Sequence, residues 1–256
     1  MLPETRIVIT GASSGLGLAF LNHYASQPNT EVIAIDNRPI QNVVGNVRFY
    51  QVDVTIEAAL ADVAVRFLKD VHVDRLIHCA GVRGLVPGVL QKEGVRGQPD
   101  GVAKAETWEV MDKTTMMKTL EVNTWGTFNV IRAFLPNLKI ASSGSPSLPP
   151  KAIIISSRMG SQAANTSGGG YAYRASKSAL NSIVKSFSID VPEVSFLLLH
   201  PGRVETGLVE WKEEGAISPE ESLKDCLKVI ARVAKEGEEV ISSGAFVDRF
   251  GMRIEW

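Results

Sequence analysis

Seven short runs rich in β-branched residues, separated by stretches with helix-spaced apolar positions, constrain this 256-residue chain more than any other feature. The runs are Arg6–Thr10, Glu31–Asp36, Val47–Asp53, Val73–Ala80, Lys151–Ser157, Val194–His200 and one near Val240. Several are apolar at consecutive positions, as a strand covered on both faces requires. Between them, Leu16–Ser26, Thr55–Lys69, Asp112–Lys139, Tyr171–Asp190 and Pro219–Lys235 repeat apolar residues at helical spacing. Strands that recur with helices between most of them lie parallel, side by side, through helical crossovers. The expected fold is therefore α/β: a doubly wound parallel seven-stranded sheet flanked by helices. Two irregular stretches, Val82–Lys104 and the Ser/Pro-rich Ala141–Pro150, interrupt the rhythm, but it resumes after each. Residues 1–256 thus read as a single domain.

The bulk properties remove whole classes of function. A net charge of -1 supplies no basic field for nucleic acid. No apolar run approaches the roughly 18 residues of a membrane span, and no apolar leader with a small-residue cleavage site opens the chain. Cys79 and Cys226 stand far apart, which suits a reducing compartment, and a cytoplasmic location is expected. His23, His72, His78 and His200 show no ligand spacing, so no metal site is expected.

Directly after the first run comes TGASSGLG, with Gly11, Gly15 and Gly17 in a turn that opens a helix. Glycines there let backbone approach a ligand, and a helix start favours a pyrophosphate. The spacing Gly-x-x-x-Gly-x-Gly departs from the Gly-x-Gly-x-x-Gly of the Rossmann dinucleotide fingerprint. Asp36 ends the second run 19 residues beyond Gly17, where an acid can bond the adenosine ribose hydroxyls. Its charge, with Ser14 offering no cation before Gly15, favours NAD over NADP; Arg38, able to pair with a 2′-phosphate, argues the other way. Asp53 either bonds the adenine amino group or caps the helix that follows Thr55. The same GASSG also satisfies the Gly-x-Ser-x-Gly nucleophile elbow of α/β-hydrolases, with Ser13 as nucleophile and His200 as its late partner.

Further along, YAYRASK places Lys177 four residues after Tyr173, whereas Tyr171 has Ala175 at that spacing. On a helix the two share a face, and an ammonium beside a phenol is expected to lower its pKa for proton transfer near neutrality. Ser157 closes the fifth run, at the carboxyl edge of the sheet, where its hydroxyl can orient a substrate oxygen. Asn123, a poor helix former within a long helical stretch, can disturb the local hydrogen-bond ladder and help hold water near Lys177. Together these four suggest a relay of Asn123, water, Lys177, Tyr173 and substrate.

In order and spacing, TGASSGLG, Asp53, VNTWGTF, ISSRMGS, YRASKSALN and HPGRVET resemble the successive motifs of short-chain dehydrogenases/reductases over nearly the entire chain. GGGYAYRASKSALN, HPGRVET, ISPEES and a C-terminal tryptophan are most similar to the C-factor-like, Sniffer-type carbonyl reductase branch. The resemblance implies a Rossmann-type sheet in the order 3-2-1-4-5-6-7, its N-terminal half binding the dinucleotide and its C-terminal half carrying the catalysis. It implies an NAD(P)-dependent oxidoreductase that interconverts a small-molecule carbonyl and an alcohol by hydride transfer, with Asn123, Ser157, Tyr173 and Lys177 catalytic. The nucleotide set becomes Gly11, Ser13, Ser14, Gly15, Leu16, Gly17, Asp36, Arg38, Asp53, Val54, Ala80, Gly81, Tyr173, Lys177, Val204 and Thr206, the last two touching the nicotinamide carboxamide. Pairing into homodimers or homotetramers through the two long helices is implied as well.

One departure stands out. Where the family has Asn-Asn-Ala-Gly, this chain reads His78-Cys79-Ala80-Gly81, so Cys79 cannot make the amide bonds of the second asparagine; it is expected to act as a small buried hydrophobe. A dinucleotide-binding sensor that has lost its chemistry is the alternative on the same fold.

Overall fold

The structure, a computed structural model, describes residues 5–41, 44–92, 94–98, 100–144, 149–209, 211, 213–233 and 240–256. Strands β1 (Thr5–Thr10), β2 (Thr30–Asp36), β3 (Val47–Gln51), β4 (Arg75–His78), β5 (Lys151–Ile155), β6 (Ser195–His200) and β7 (Ala245–Asp248) form one sheet in the order β3-β2-β1-β4-β5-β6-β7. Every neighbouring pair is parallel. This is the expected doubly wound sheet, and its order reverses between β1 and β4, which opens a crevice at the carboxyl ends of both.

Helices α1 (Gly15–Ala25) and α8 (Pro219–Arg232) cover one face. Their side chains Phe20, Leu21, Val229 and Ile230 pack on Ile7, Ile9, Val32, Leu197 and Leu199. The opposite face receives Phe134 and Leu138 from α6 (Gly126–Gly144) and Leu180 and Val184 from α7 (Tyr171–Asp190), against Val8, Ile33, Leu76 and Phe196. Neighbours in one strand thus serve different cores, which is why the strand sequences are continuously apolar. Each buried aliphatic side chain contributes about 1.5–3 kcal/mol of transfer free energy.

Local signals set the helix starts. Ser218 accepts from the Glu221 N–H at 3.1 Å with Pro219 in the first helical position of α8. Asp112 accepts from the Thr115 N–H at 2.7 Å at the head of α5 (Lys113–Leu120). A π turn over Glu121–Trp125 joins α5 to α6, and Asn123 lies at its middle. The expected disturbance of the ladder at Asn123 is therefore present.

Four expectations need correction. The last strand is Ala245–Asp248 and not a run near Val240; Ile241 makes only an isolated bridge to Val233. The long helix does not stop at Lys139 but continues to Gly144, into the stretch expected to be loop. The irregular stretch after β4 holds two short helices, α3 (Pro87–Leu90) and α4 (Gly101–Lys104). The helix expected over Thr55–Lys69 is shorter, α2 (Glu57–Asp62) followed by a π turn over Val63–Phe67. The end expected at Lys235 lies outside the described residues. Among the described residues no helix is long and apolar enough to cross a membrane.

Candidate active site

A cavity of about 430 Å³ lies at the carboxyl ends of β1, β2, β4 and β5, lined by Gly11, Ser14, Gly15, Leu16 and Gly17 of the turn, though not by Ser13, and by Asp36, Arg38, Asp53, Val54, Ala80, Gly81, Val204 and Thr206. Its glycines are structural requirements. A Cβ on Gly17 would lie 2.0 Å from the Gly11 carbonyl oxygen, and one on Gly11, whose φ is +68°, would lie 2.7 Å from the Ala80 nitrogen. Ser14 caps α1 with its backbone alone and makes no side-chain cap bond, so no side-chain cap occupies the first-turn N–H groups. A glycine-walled turn ending in such a helix start fits the pyrophosphate of a dinucleotide.

Asp36 is buried at the rim of this turn. One carboxylate oxygen accepts the Ser13 N–H and the other the Arg38 N–H, both at 2.9 Å. A carboxylate with one bond per oxygen still has acceptor capacity for ribose hydroxyls. Ser14 itself carries no cation, but Arg38 brings one to it, its guanidinium donating to the Ser14 hydroxyl oxygen at 2.7 Å. Asp53 accepts both the N–H and the hydroxyl of Thr55, at 2.9 and 2.8 Å, and lines the cavity, which leaves the adenine role open to it; the expected helix cap is not made, since α2 starts at Glu57 behind Ile56 with no side-chain cap bond. The hydrolase alternative loses its footing here: among the described residues Ser13 Oγ is buried with no hydrogen-bond partner, and Nδ1 of His200 is likewise unpartnered. Without a base in contact the serine is no nucleophile.

Tyr173, Lys177 and Ser157 converge as the spacing suggested. Tyr173 lines both this cavity and a second one of about 910 Å³, and Ser157 lines both with it, its hydroxyl favouring the ionised form of the phenol. Ser157 Oγ also accepts the Met159 N–H at 3.2 Å, which fixes its rotamer. Lys177 Nζ sits 5.8 Å from the Tyr173 ring centroid and donates to the Ile155 carbonyl at 2.9 Å; burial brings its pKa down to about 8. The phenol departs from expectation. Burial raises the Tyr173 pKa above the ordinary phenol value, and the cation that opposes this most is Arg83, not Lys177.

Asn123 is fully buried and acts as a clamp. Its side-chain amide donates to the Val82 carbonyl and to Ser176 Oγ, and its oxygen accepts the Val82 N–H, at 2.8, 3.0 and 2.8 Å. That side chain is spent on the β4 exit loop, so any hold on water near Lys177 falls to the backbone. The Asn123 carbonyl accepts the Thr127 hydroxyl at 2.6 Å.

His78 is a residue whose role went unread in the sequence. It bridges Thr10 Oγ1 on β1, at 2.7 Å from Nδ1, and Thr127 Oγ1 on α6, at 3.0 Å from Nε2. Because the Thr127 proton goes to the Asn123 carbonyl, Nε2 must be the donor to Thr127, and Nδ1 then accepts from Thr10. Burial holds the ring neutral, with a pKa lowered to about 3. His78 thus ties the first strand to the π turn in place of an amide. Cys79 packs with the α1 face of the core but is half-buried rather than buried, because it also lines the smaller cavity; desolvation pushes its thiol far above the usual range. Arg83 and Glu106 were also missed; they form a bidentate pair at the wall of the larger cavity. Trp211 lines that cavity beside Gly101 of α4.

Residues 5–216 match the family described as short chain dehydrogenase. Among curated proteins, the chain is 36% identical over 148 residues to the C-signal of Myxococcus xanthus, covering 57% of this chain and 81% of that protein. It is 32% identical over 210 residues to 1-hydroxy-2-glutathionyl-2-methyl-3-butene dehydrogenase of Rhodococcus sp. (strain AD45), covering 80% and 78%. The fold resembles the carbonyl reductase Sniffer of D. melanogaster, with a TM-score of 0.77, 24% identity and both chains covered in full. It also resembles an NADPH-bound carbonyl reductase from chicken fatty liver, with a TM-score of 0.79 at 25% identity over 100% and 96% of the two chains. The turn, the Ser157–Tyr173–Lys177 group and these similarities agree: the chain belongs to the short-chain dehydrogenase/reductase family and is an NAD(P)-dependent oxidoreductase.

Proposed function

We propose that Tyr173 is the general acid and base of a carbonyl/alcohol interconversion, with Ser157 and Lys177 as its partners. The observation that carries this reading is Tyr173 itself, a buried phenol that lines both cavities together with Ser157. The smaller cavity has the glycine turn and the ribose-reading Asp36 that a dinucleotide needs, so Gly11, Gly15, Leu16 and Gly17 would hold the pyrophosphate, and Val204 and Thr206 the far end. When bound there, the nicotinamide supplies or accepts a hydride. In reduction Tyr173 gives its proton to the carbonyl oxygen, while the Ser157 hydroxyl donates to that same oxygen and orients it. A phenolate then forms, and the Lys177 ammonium stabilises it. Asn123 holds Val82 and, through its carbonyl, the π turn beside Lys177. The reverse sequence serves oxidation.

The pairing of Asp36 with backbone N–H groups favours NAD, since a 2′-phosphate would lie against its charge. A second reading has support from Arg38, whose guanidinium on Ser14 offers a 2′-phosphate a partner. The N-terminal half, through β4, would hold the nucleotide, and the C-terminal half would carry the chemistry. Exposed Met117, Trp125 and Ile189 on the long helices are the positions through which a homodimer or homotetramer would pair. A cytoplasmic setting suits the two free cysteines.

The test is steady-state turnover of a panel of aldehydes and ketones with NADH and with NADPH. Turnover of at least one carbonyl, with tighter binding of NADH, is expected. No turnover with either nucleotide, despite binding, would leave a sensor and refute the catalytic reading.

A further inference from the structure

The Tyr173 ring has two cations against it. The Arg83 guanidinium carbon lies 4.8 Å from the ring centroid, nearer than Lys177 Nζ at 5.8 Å. Glu106 fixes Arg83 with two parallel bonds, Nε to Oε2 at 2.9 Å and Nη2 to Oε1 at 2.8 Å. Both side chains are largely shielded, at 18% and 9% exposure. A planar guanidinium gripped in this way keeps its orientation, where a single bond would let it swing. The backbone of Glu106 is anchored as well: its carbonyl accepts the N–H of Gly170, the residue that caps α7 three positions before Tyr173. Loop cation and helix phenol therefore share one mount.

A guanidinium over an aromatic face is attracted by the ring, and the attraction grows when the ring becomes a phenolate. We propose that Arg83, held by Glu106, is a positioning residue that stabilises the phenolate of Tyr173 during proton transfer, so that this chain sets two cations on the phenol where the Tyr-Lys motif alone supplies one. The inference rests on the reading of Tyr173 as the general acid and base.

The other groups facing the phenol do not duplicate this role. Ser157, two residues beyond the end of β5, donates or accepts a hydrogen bond but carries no charge. His200, at the end of β6, lines the same two cavities, and burial holds it neutral with a pKa of about 4. Arg174, on α7 beside Tyr173, is turned to the Gly168 and Gly169 carbonyls and to Ser167. Glu213 faces Arg83 from the far wall. Within the pair, the two charges act oppositely on the phenol: Arg83 favours its ionised form and Glu106 opposes it, with Arg83 the stronger.

That opposition provides the test, because a merely structural clamp has no sign. The pH dependence of kcat/KM for carbonyl reduction is measured for the wild type, Arg83→Gln, Glu106→Gln, the double variant and Tyr173→Phe, with nucleotide affinity measured in each. Reduction needs the protonated phenol, so the rate falls on the alkaline side. Arg83→Gln is expected to move that limb to higher pH by about one pH unit, a roughly tenfold change at a fixed pH on the limb. Glu106→Gln is expected to move it to lower pH by less. If unpaired Glu106 keeps Arg83→Gln from folding, the double variant decides, and its limb is expected above that of the wild type. Limbs that stay in place, or move in the same direction in both single variants, overturn the role of Arg83. Wild-type turnover by Tyr173→Phe would instead overturn the reading of Tyr173, so the two failures are told apart.

Discussion

The smaller cavity, proposed for the nucleotide, and the larger one beside it share Tyr173 and Ser157 yet are built in different ways. The first is made chiefly of backbone: a glycine turn, a helix start without a side-chain cap and Asp36 held by two N–H groups. The second, about 910 Å³, is walled mainly by side chains from loops, among them Arg83, Glu106, Trp108 and Trp211, with Arg174 added from α7. A backbone site has few ways to vary, because sterics dictate its residues. A side-chain site is set by contacts between distant positions, so it is where one member of a family can differ from another.

The comparison breaks most readily at Gly17. A Cβ there would fall 2.0 Å from the Gly11 carbonyl oxygen, with backbone on both sides of the conflict. Gly17→Ala is expected to abolish nucleotide binding in a fluorescence titration, a loss of at least about a hundredfold, in keeping with the several kcal/mol of a backbone clash. Binding at wild-type strength would show that the cradle is not backbone-limited.

The next effect sharpens the link between the halves. Burial lowers the pKa of His78 to about 3, from 6.5 in the unfolded chain, so the unfolded state binds the extra proton between those values. Stability from the neutral ring is whole above pH 6.5 and is lost as pH falls toward 3. At pH 5 the loss is about 2 kcal/mol. Urea unfolding at pH 7 and 5 is expected to show it, and His78→Asn is expected to flatten that part of the difference. An equal acid loss in the variant would move the origin elsewhere.

A smaller change tests the rim. Asp36→Ala is expected to improve NADPH binding relative to NADH by about tenfold, and Arg38→Ala to weaken NADPH selectively, each near 1.4 kcal/mol. Unchanged ratios in both would detach these residues from the ribose.

The same contrast governs what was legible from sequence. Six of the seven strands, the glycine turn and the Tyr173–Lys177 face follow from periodicity and local spacing, and the structure places them accordingly. The seventh strand was misplaced because Val240 and Ile241 have the stronger β-branched pattern. Its four residues are defined by pairing with β6, and Ile241 only bridges to Val233. Arg83 and Glu106 lie 23 residues apart in an irregular stretch, so no period joins them. Arg38 meets Ser14 across 24 positions for the same reason. Spacing also puts a cation near the phenol but says nothing of depth. Desolvation dominates at that depth, with Arg83 the main cation opposing it, and the Tyr173 pKa is raised where a depressed one was expected.

The central claim, that one buried phenol at the meeting of the two cavities moves the substrate proton, is tested most directly in Tyr173→Phe by measuring nucleotide affinity and carbonyl turnover side by side. Affinity within about twofold of the wild type and turnover reduced by roughly 10²–10⁴-fold are predicted. Undiminished turnover at unchanged affinity would contradict the account.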